Sequence, residues 1–314
     1  MIRVGRPAID RAIVSASGTT RDGQPLSYSR APAADLAPWV SRVYAAMVEA
    51  PADHRLECGL FNDTTFLRIQ LCGDWTAQTA HGPRQMGRAA LFFGPQTRRM
   101  PIAVRGGFTS IGVALRSGAS QALGIAPEAA HMDSFAPLDE LGLPGQRWLD
   151  LCDVGASAED FCCAMEGELR AMIGYRRAPV PDAVTARFEA AAYADPTLPV
   201  GQLARDLGVE LRRLERIVRR DFGLSPKQVL RRARALDMAS HLRGVADHDE
   251  AEALMLRYYD QSHLIREFTE KFGMGPRQFV DTPQPLMTLA LETRQARRLE
   301  MIERIAPGGI RPWE

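Results

Sequence analysis

Up to about residue 140 the apolar positions come in short runs rather than long periodic stretches. "TTFLRIQLCG", "RAALFFG" and "FTSIGVALRSG" are dense in β-branched and aromatic residues and are cut by Gly and Pro, the punctuation of many short strands. That pattern predicts a sandwich or barrel rather than alternating βαβ units. After "LDELGLPGQRW" the period changes. In "SAEDFCCAMEGELRAMIG", Phe161, Met165, Leu169 and Met172 fall on one helical face, which could dock on the β-rich part or pair with its copy in a dimer. "YRRAPVPDAV", with Pro179 and Pro181 behind a basic pair, is the best linker candidate. From there to Val280 the chain reads as helices with short turns, and "LMTLALETRQARRLEMIERI" reads as one more helix before a frayed tail. The expected organisation is α+β: a β-rich domain over 1–140, a helical connector over 141–178, an all-α domain over 179–281, and a C-terminal helix and tail over 282–314.

The all-α part carries a finer pattern. In "PVGQLARDLGVELRRLERIVRRDFG", Val200, Leu203, Ala204 and Leu207 recur at helical spacing. Gly208 then stops that helix, because glycine takes the left-handed turn conformation cheaply. A second helix from near Glu210 carries Leu211, Leu214, Ile217 and Val218 inward. Ala204, a small residue four before the turn glycine, lets the two helices cross closely. This is the signature of a helix-turn-helix. The outward face holds Arg212, Arg213, Glu215, Arg216 and Arg219. Arginine can fork onto guanine and a carboxylate can accept from the cytosine amino group, while further basic residues neutralise phosphates. Taken alone, one such helix could equally be a solvated charged face.

A second copy changes that balance. Ala253 sits four before Arg257, and Asp260 can cap a helix bearing Leu264, Ile265 and Phe268. "DFGLSPKQVL" closes the first copy and "KFGMGPRQFV" closes the second, an internal repeat. Between the copies, Val229, Leu230, Ala233, Leu236 and Leu242 mark one long connecting helix, with no Gly or internal Pro from Pro226 to Arg243.

Net charge over the whole chain is only +1, so no global charge announces a polyanion. The local distribution does. Between Leu203 and Arg234, basic Arg205, Arg212, Arg213, Arg216, Arg219, Arg220, Lys227, Arg231, Arg232 and Arg234 face only Asp206, Glu210, Glu215 and Asp221. From Ala235 to Val280 acids outnumber bases. Five cysteines without CxxC spacing argue against disulfides or a zinc knuckle; free thiols are expected, with a redox role for the vicinal Cys162 and Cys163 as the minor alternative. No apolar run is long enough to span a bilayer, and the N-terminus lacks a signal core, so a cytoplasmic protein is expected.

From Asp182 to Val280 the chain resembles the AraC-type family of bacterial transcription regulators. The resemblance is carried by "LARDLGVELRRLERIVRRDFGLSPKQVLRRARALDMASHLR" and "YYDQSHLIREFTEKFGMGPRQF". It implies a seven-helix unit whose two recognition helices enter successive major grooves, about 34 Å apart, held by the connecting helix. Base-reading positions then fall on Arg212, Glu215 and Arg216 in the first helix and on Gln261, Ser262, Ile265 and Arg266 in the second. His263 is expected at the surface or facing a phosphate, and Tyr258 and Tyr259 packing the turn. Three departures stand out. Glu210 replaces the Ser or Thr cap, weakening that end by about 1 kcal/mol. Glu252 occupies a usually apolar slot. Arg257 replaces the turn glycine, at about 1–2 kcal/mol if the left-handed conformation is kept. The first helix-turn-helix is therefore expected to dominate affinity.

The resemblance also implies a sensing domain ahead of the module, often a cupin-like barrel, and "ALFFGPQTRRMPIAVRGGFTSIGVALRSGAS" is similar to its later strands. A small-molecule pocket follows from fold analogy. Trp39, Tyr44, Trp75, Phe92 and Phe93 could line it or be core aromatics, and no effector is named. With no His-x-His pair, and with His54, His81 and His131 scattered, neither metal, cofactor nor catalytic residues are expected. The expected function is a sequence-specific regulator of transcription. Its expected partners are double-stranded promoter or operator DNA, a small-molecule effector, a second copy of the chain through the N-terminal half or the 157–173 helix and, for an activator, RNA polymerase, with no membrane. Two other classes compete. One is a DNA-repair-like enzyme targeted by such a module, although the acceptor cysteine cluster and a Pro-Cys-His-Arg motif are missing. The other is a protein-interaction module with a degraded second helix-turn-helix.

Overall fold

The computed structural model describes residues 5–152, 155–249, 251 and 261–314. Nine antiparallel strands form one sheet: β1 (Val14–Ser15), β2 (Tyr28–Arg30), β3 (Val40–Glu49), β4 (Arg55–Leu60), β5 (Phe66–Thr79), β6 (Gly82–Met86), β7 (Ala89–Phe93), β8 (Met100–Leu115) and β9 (Phe135–Pro137). The runs picked out by β-branched content become β5, β7 and β8. The main path is β1-β3-β8-β5-β7-β9. Long β8 pairs with β3 along its second half and β4 along its first, while β5 covers its other edge. Among the described residues β1 and β9 do not pair, so the expected barrel is an open sheet.

Alternation along the strands separates two cores. Val43, Ala45, Leu67, Ile69, Ile111 and Val113 point to one side. There they meet α3 (Ala158–Arg176), which buries Phe161, Met165, Leu169 and Met172. The apolar stripe of α3 is therefore consumed by its own sheet rather than offered to a second copy. Ser157 and Asp160 close a capping box at its start. Cys162 lies inside this core, where burial pushes its thiol up to about 12, and the Glu159 hydrogen bond also raises exposed Cys163. Neither is the low-pKa thiolate of a redox sensor.

The opposite face of the sheet carries Ala46, Val48, Trp75, Ile102, Val104 and Phe108. Register shifts in β5 between Gln70 and Asp74 change its parity, which brings Trp75 and Ala77 to the side that Phe66 and Arg68 face. This face packs on α7 (Pro226–Leu242) and α10 (Pro285–Met301) of the helical half in one continuous core. Helix α10 was expected to end in a frayed tail. Instead the tail is docked: Trp313 is 3% exposed, Arg311 forms an ion pair with buried Glu292, and the Arg21 N–H donates to the Trp313 carbonyl at 3.1 Å.

Further helices are α1 (Ala119–Ala122), α2 (Gly145–Asp150), α4 (Ala183–Ala194), α5 (Val200–Asp206), α6 (Leu211–Phe222), α8 (Gln261–Phe272) and α9 (Pro276–Asp281). No helix among the described residues is long and apolar enough to cross a membrane.

Where the sheet domain meets α6, a 3-10 turn at Glu128–His131 places the Glu128 carboxyl fully inside the interface. It accepts from the Thr65 hydroxyl, and its other oxygen has no partner. Burial pushes it up to about 8, with only partial relief from Thr65 and with Asp221 adding repulsion. Between the ordinary carboxylate value and about 8, the folded state holds a proton that the unfolded chain has released. Stability should therefore fall as pH rises through that window and level off above it. Glu128→Gln should flatten this slope, raising stability at pH 9 by on the order of a few kcal/mol. Urea denaturation at pH 5, 7 and 9 reads it; an unchanged slope would place the pH dependence elsewhere.

Candidate nucleic-acid interface

Helix α5 ends at Asp206 with Leu207 as its C-cap, and Gly208 follows with φ +68°. A Cβ there would meet nothing within 4 Å, so the glycine is required by its backbone angle and not by crowding. The Val209 N–H then returns to the Ala204 carbonyl at 3.0 Å, which closes the turn and starts α6 at the intended crossing. Glu210 is the N-cap of α6 and makes no side-chain capping bond, as the missing Ser or Thr implied.

Along α6, Leu214, Ile217, Val218 and Phe222 are buried against Phe188, Leu203 and Leu207. Leu211, expected inside, is 46% exposed; as the first helical residue it lies one turn short of the face that meets α5. Arg212, Arg213, Arg216 and Arg219 are exposed, while Glu215 is half-buried. None of these four arginines has a carboxylate partner among the described residues. Arg220 is different: its Nε donates to Asp221 at 2.6 Å, and it also faces Asp182, so its charge is spent within the domain.

The repeat seen in the sequence is also a repeat in three dimensions. Helices α6 and α8 each span 12 residues. From their second residues on, the burial patterns are identical through the tenth: Ser262 and His263 exposed, Leu264 buried, Ile265 half-buried, Arg266 exposed, Glu267 and Phe268 buried, each fifty places after its α6 counterpart except that buried Ile217 is matched by a carboxylate. Both helices stop at a left-handed glycine, Gly223 or Gly273, and both are followed by a helix with Pro in its first turn. Of the second set of expected base readers, Ser262, Ile265 and Arg266 thus share one face, and Gln261 opens α8. Arg266 also donates to the Ser262 carbonyl at 3.3 Å. Glu252, Arg257, Tyr258, Tyr259 and Asp260 lie outside the described residues.

Helix α7 joins the two units without a break over 17 residues, about 25 Å at 1.5 Å per residue. A capping box between Ser225 and Gln228 opens it. Glu267, the carboxylate in the Ile217 slot, locks α8 to this helix through Arg231 at 2.8 Å and Arg234 at 2.9 Å. Burial alone would raise the Glu267 carboxyl, but the hydrogen bonds and charges of Arg234 and Arg231 hold it below the usual carboxylate range. Sequence reasoning missed this pair; a carboxylate at an inward position of the second repeat was its only signal.

The sheet domain takes part as well. The Gly118 N–H donates to the Asp221 carbonyl at 3.0 Å, and the Arg99 N–H donates to the Lys271 carbonyl at 2.7 Å. Asp221 and Lys271 are equivalent positions of the repeat, in the last turns of α6 and α8. These carbonyls belong to the group that a helix leaves without internal partners. Gly118 is irreplaceable here for two reasons: φ is +80°, and a Cβ would lie 2.9 Å from the Asp221 carboxyl carbon.

Two stability tests follow. Gly208→Ala should cost about 1–2 kcal/mol through backbone strain alone. Glu267→Gln, which leaves two arginines without their shared charge, should cost about 3 kcal/mol. Chemical denaturation measures both, and a cost below about 0.5 kcal/mol for Glu267→Gln would show the pair to be an ordinary surface bridge.

The family comparison agrees with this geometry. A family model described as a helix-turn-helix domain matches residues 203–282. No curated protein matches the chain. Among solved structures, an apo variant of ToxT from Vibrio cholerae is similar at 8% identity, covering 76% of this chain and 96% of its own, with a TM-score of 0.44. The AraC-like transcriptional activator CuxR is similar at 14% identity, covering 69% and 88%, with a TM-score of 0.28. The C-terminal domain of AraT from Geobacillus stearothermophilus is similar at 18% identity, covering 32% and 86%, with a TM-score of 0.27. Residues 203–282 are a helix-turn-helix domain of the AraC type.

Proposed function

We propose that this chain regulates transcription by binding specific sequences of double-stranded DNA, and that its sheet domain makes the binding responsive to a small molecule. One observation carries the reading: two recognition helices with the same pattern of exposure, the first presenting four exposed arginines that no carboxylate among the described residues neutralises. A structural surface helix of this size would usually balance such charge within itself. An unbalanced, arginine-rich face on the second helix of a helix-turn-helix is suited to guanine edges and phosphates.

Roles divide by position. Arg212 and Arg216 lie where base edges would be met, and half-buried Glu215 lies between them. Arg213 and Arg219 suit phosphates. In the second unit Gln261, Ser262, Ile265 and Arg266 take the equivalent positions. That helix offers fewer cations, and Arg266 is already engaged with the Ser262 carbonyl. The first unit therefore supplies most of the affinity, and the second extends the site by one helical turn of DNA.

Gel-shift titration of the purified protein on the DNA upstream of its own gene tests this. Binding should be sequence-selective and should weaken steeply with salt. Arg216→Ala should cost about 1–3 kcal/mol and relax base preference at one position, and Arg266→Ala should cost less. Equal losses would refute the unequal division, and absence of selective binding would refute the function.

A further inference from the structure

Helix α6 leaves one large apolar side chain in water. Leu211, its first residue, is 46% exposed. Among the described residues of 203–282, no other large hydrophobic side chain is exposed. A lone exposed leucine on an ordinary surface needs no explanation. This one opens the second helix of a helix-turn-helix, and the first residues of such a helix are the ones that reach base edges. Its neighbours Glu210, Arg212 and Arg213 are all exposed and all charged.

Helical spacing sorts these side chains into two rows. Residues four apart stand one above the other. Leu211 therefore heads a row with half-buried Glu215, and Arg212 heads the next row with exposed Arg216. Four residues rise about 6 Å at 1.5 Å per residue, and bases step about 3.4 Å along a strand. The two members of a row thus span one or two base steps. The rows differ in chemistry. Arg212 and Arg216 offer donors, which suit the N7 and O6 acceptors of guanine. Leu211 and Glu215 offer an apolar group and an acceptor. In the major groove the complement of the first is the thymine C5-methyl, and that of the second is the cytosine amino group. Both belong to pyrimidines, whose edges lie beside those of their purine partners in every base pair. The Glu215 carboxylate has no partner within the protein among the described residues.

We infer that Leu211 is a specificity-determining residue, whose side chain packs on the methyl group of a thymine one or two steps from the cytosine that Glu215 meets. The first unit thereby reads pyrimidines on one strand with Leu211 and Glu215, and guanines on the other with its arginines. Charge holds the helix in the groove without telling thymine from cytosine; the methyl contact makes that distinction. Fifty places on, α8 begins with Gln261, whose amide suits adenine, so the two units read different sequences. This inference rests on the DNA-binding function proposed above and adds to it the base at one position.

The test starts with selection of a preferred site by the full chain from a pool of random duplexes. Each thymine of that site is then replaced by deoxyuridine, which removes only the methyl, and binding is titrated by gel shift. One replacement, beside or one step removed from a cytosine, should weaken wild-type binding about four-fold, the worth of burying one methyl group. Leu211→Ala should bind the thymine and deoxyuridine duplexes equally, keep its discrimination at guanine positions, and leave the salt dependence unchanged, because no phosphate contact is lost. Leu211→Met, which keeps an apolar side chain there, should retain the penalty. Circular dichroism melts confirm that each variant is folded. If no thymine methyl affects binding, or if Leu211→Ala keeps the full penalty, the inference is overturned while selective binding leaves the proposed function standing. Failure to select any sequence overturns the proposed function and this inference together.

Discussion

The arrangement of this molecule depends on two backbone hydrogen bonds, Gly118 to Asp221 and Arg99 to Lys271. Each takes an N–H from the sheet domain and gives it to the last turn of a recognition helix, at the same position of the repeat. A double helix-turn-helix needs its reading helices held at a fixed separation and rotation, and the connecting helix α7 supplies only the separation. The sheet supplies the rest by gripping both helices at the end away from the first turn, where the proposed base contacts lie. Neither bond is strong on its own, since a typical net contribution is about 1 kcal/mol. Their effect comes from acting at two places on one rigid body.

Around these bonds lies a layer of charge that water does not reach. Arg294, Arg297 and Arg298 of α10 are buried and are met by Asp63 of the sheet domain, Glu189 of α4 and Asp237 of α7. Ion pairs of this kind are weak sources of stability, because desolvation offsets most of the attraction. They are specific, however: the domains cannot slide without leaving a buried charge unpaired. The carboxyl of Glu128 in the same interface, pushed up to about 8, is accommodated by holding a proton rather than by a partner. An interface so polar fixes one docking geometry.

Much of the helical half could be read from the sequence, because each of its features is local. The Gly208 turn, the apolar stripe on α6, the unbroken connecting helix and the fifty-residue repeat all report on contacts within a few turns. The strands could be read as strands for the same reason, but their closure could not; whether β1 meets β9 is a matter of pairing across the whole domain. The C-terminal helix was the hardest. "TRQARR" in α10 has the composition of a solvated face, and only its long-range partners, from Asp63 to Asp237, make it a buried one. The burial of Arg68 was hidden for a related reason. Within "FLRIQ" it alternates like any outward residue of a half-buried strand, and nothing local reveals that the opposite face is covered by a helix more than two hundred residues later. The exposed tip of α6 at Leu211 shows the opposite error, in which periodicity was extended one residue too far.

Amide hydrogen exchange at Gly118 and Arg99 tests the central constraint most directly. If the sheet domain holds both recognition helices as one body, these two amides should exchange slowly, with similar protection, and in step with the buried amides of α7. Exchange of either one at the rate of an open loop amide would show that the corresponding helix-turn-helix moves independently of the sheet, and the account of a single clamped reading unit would be wrong.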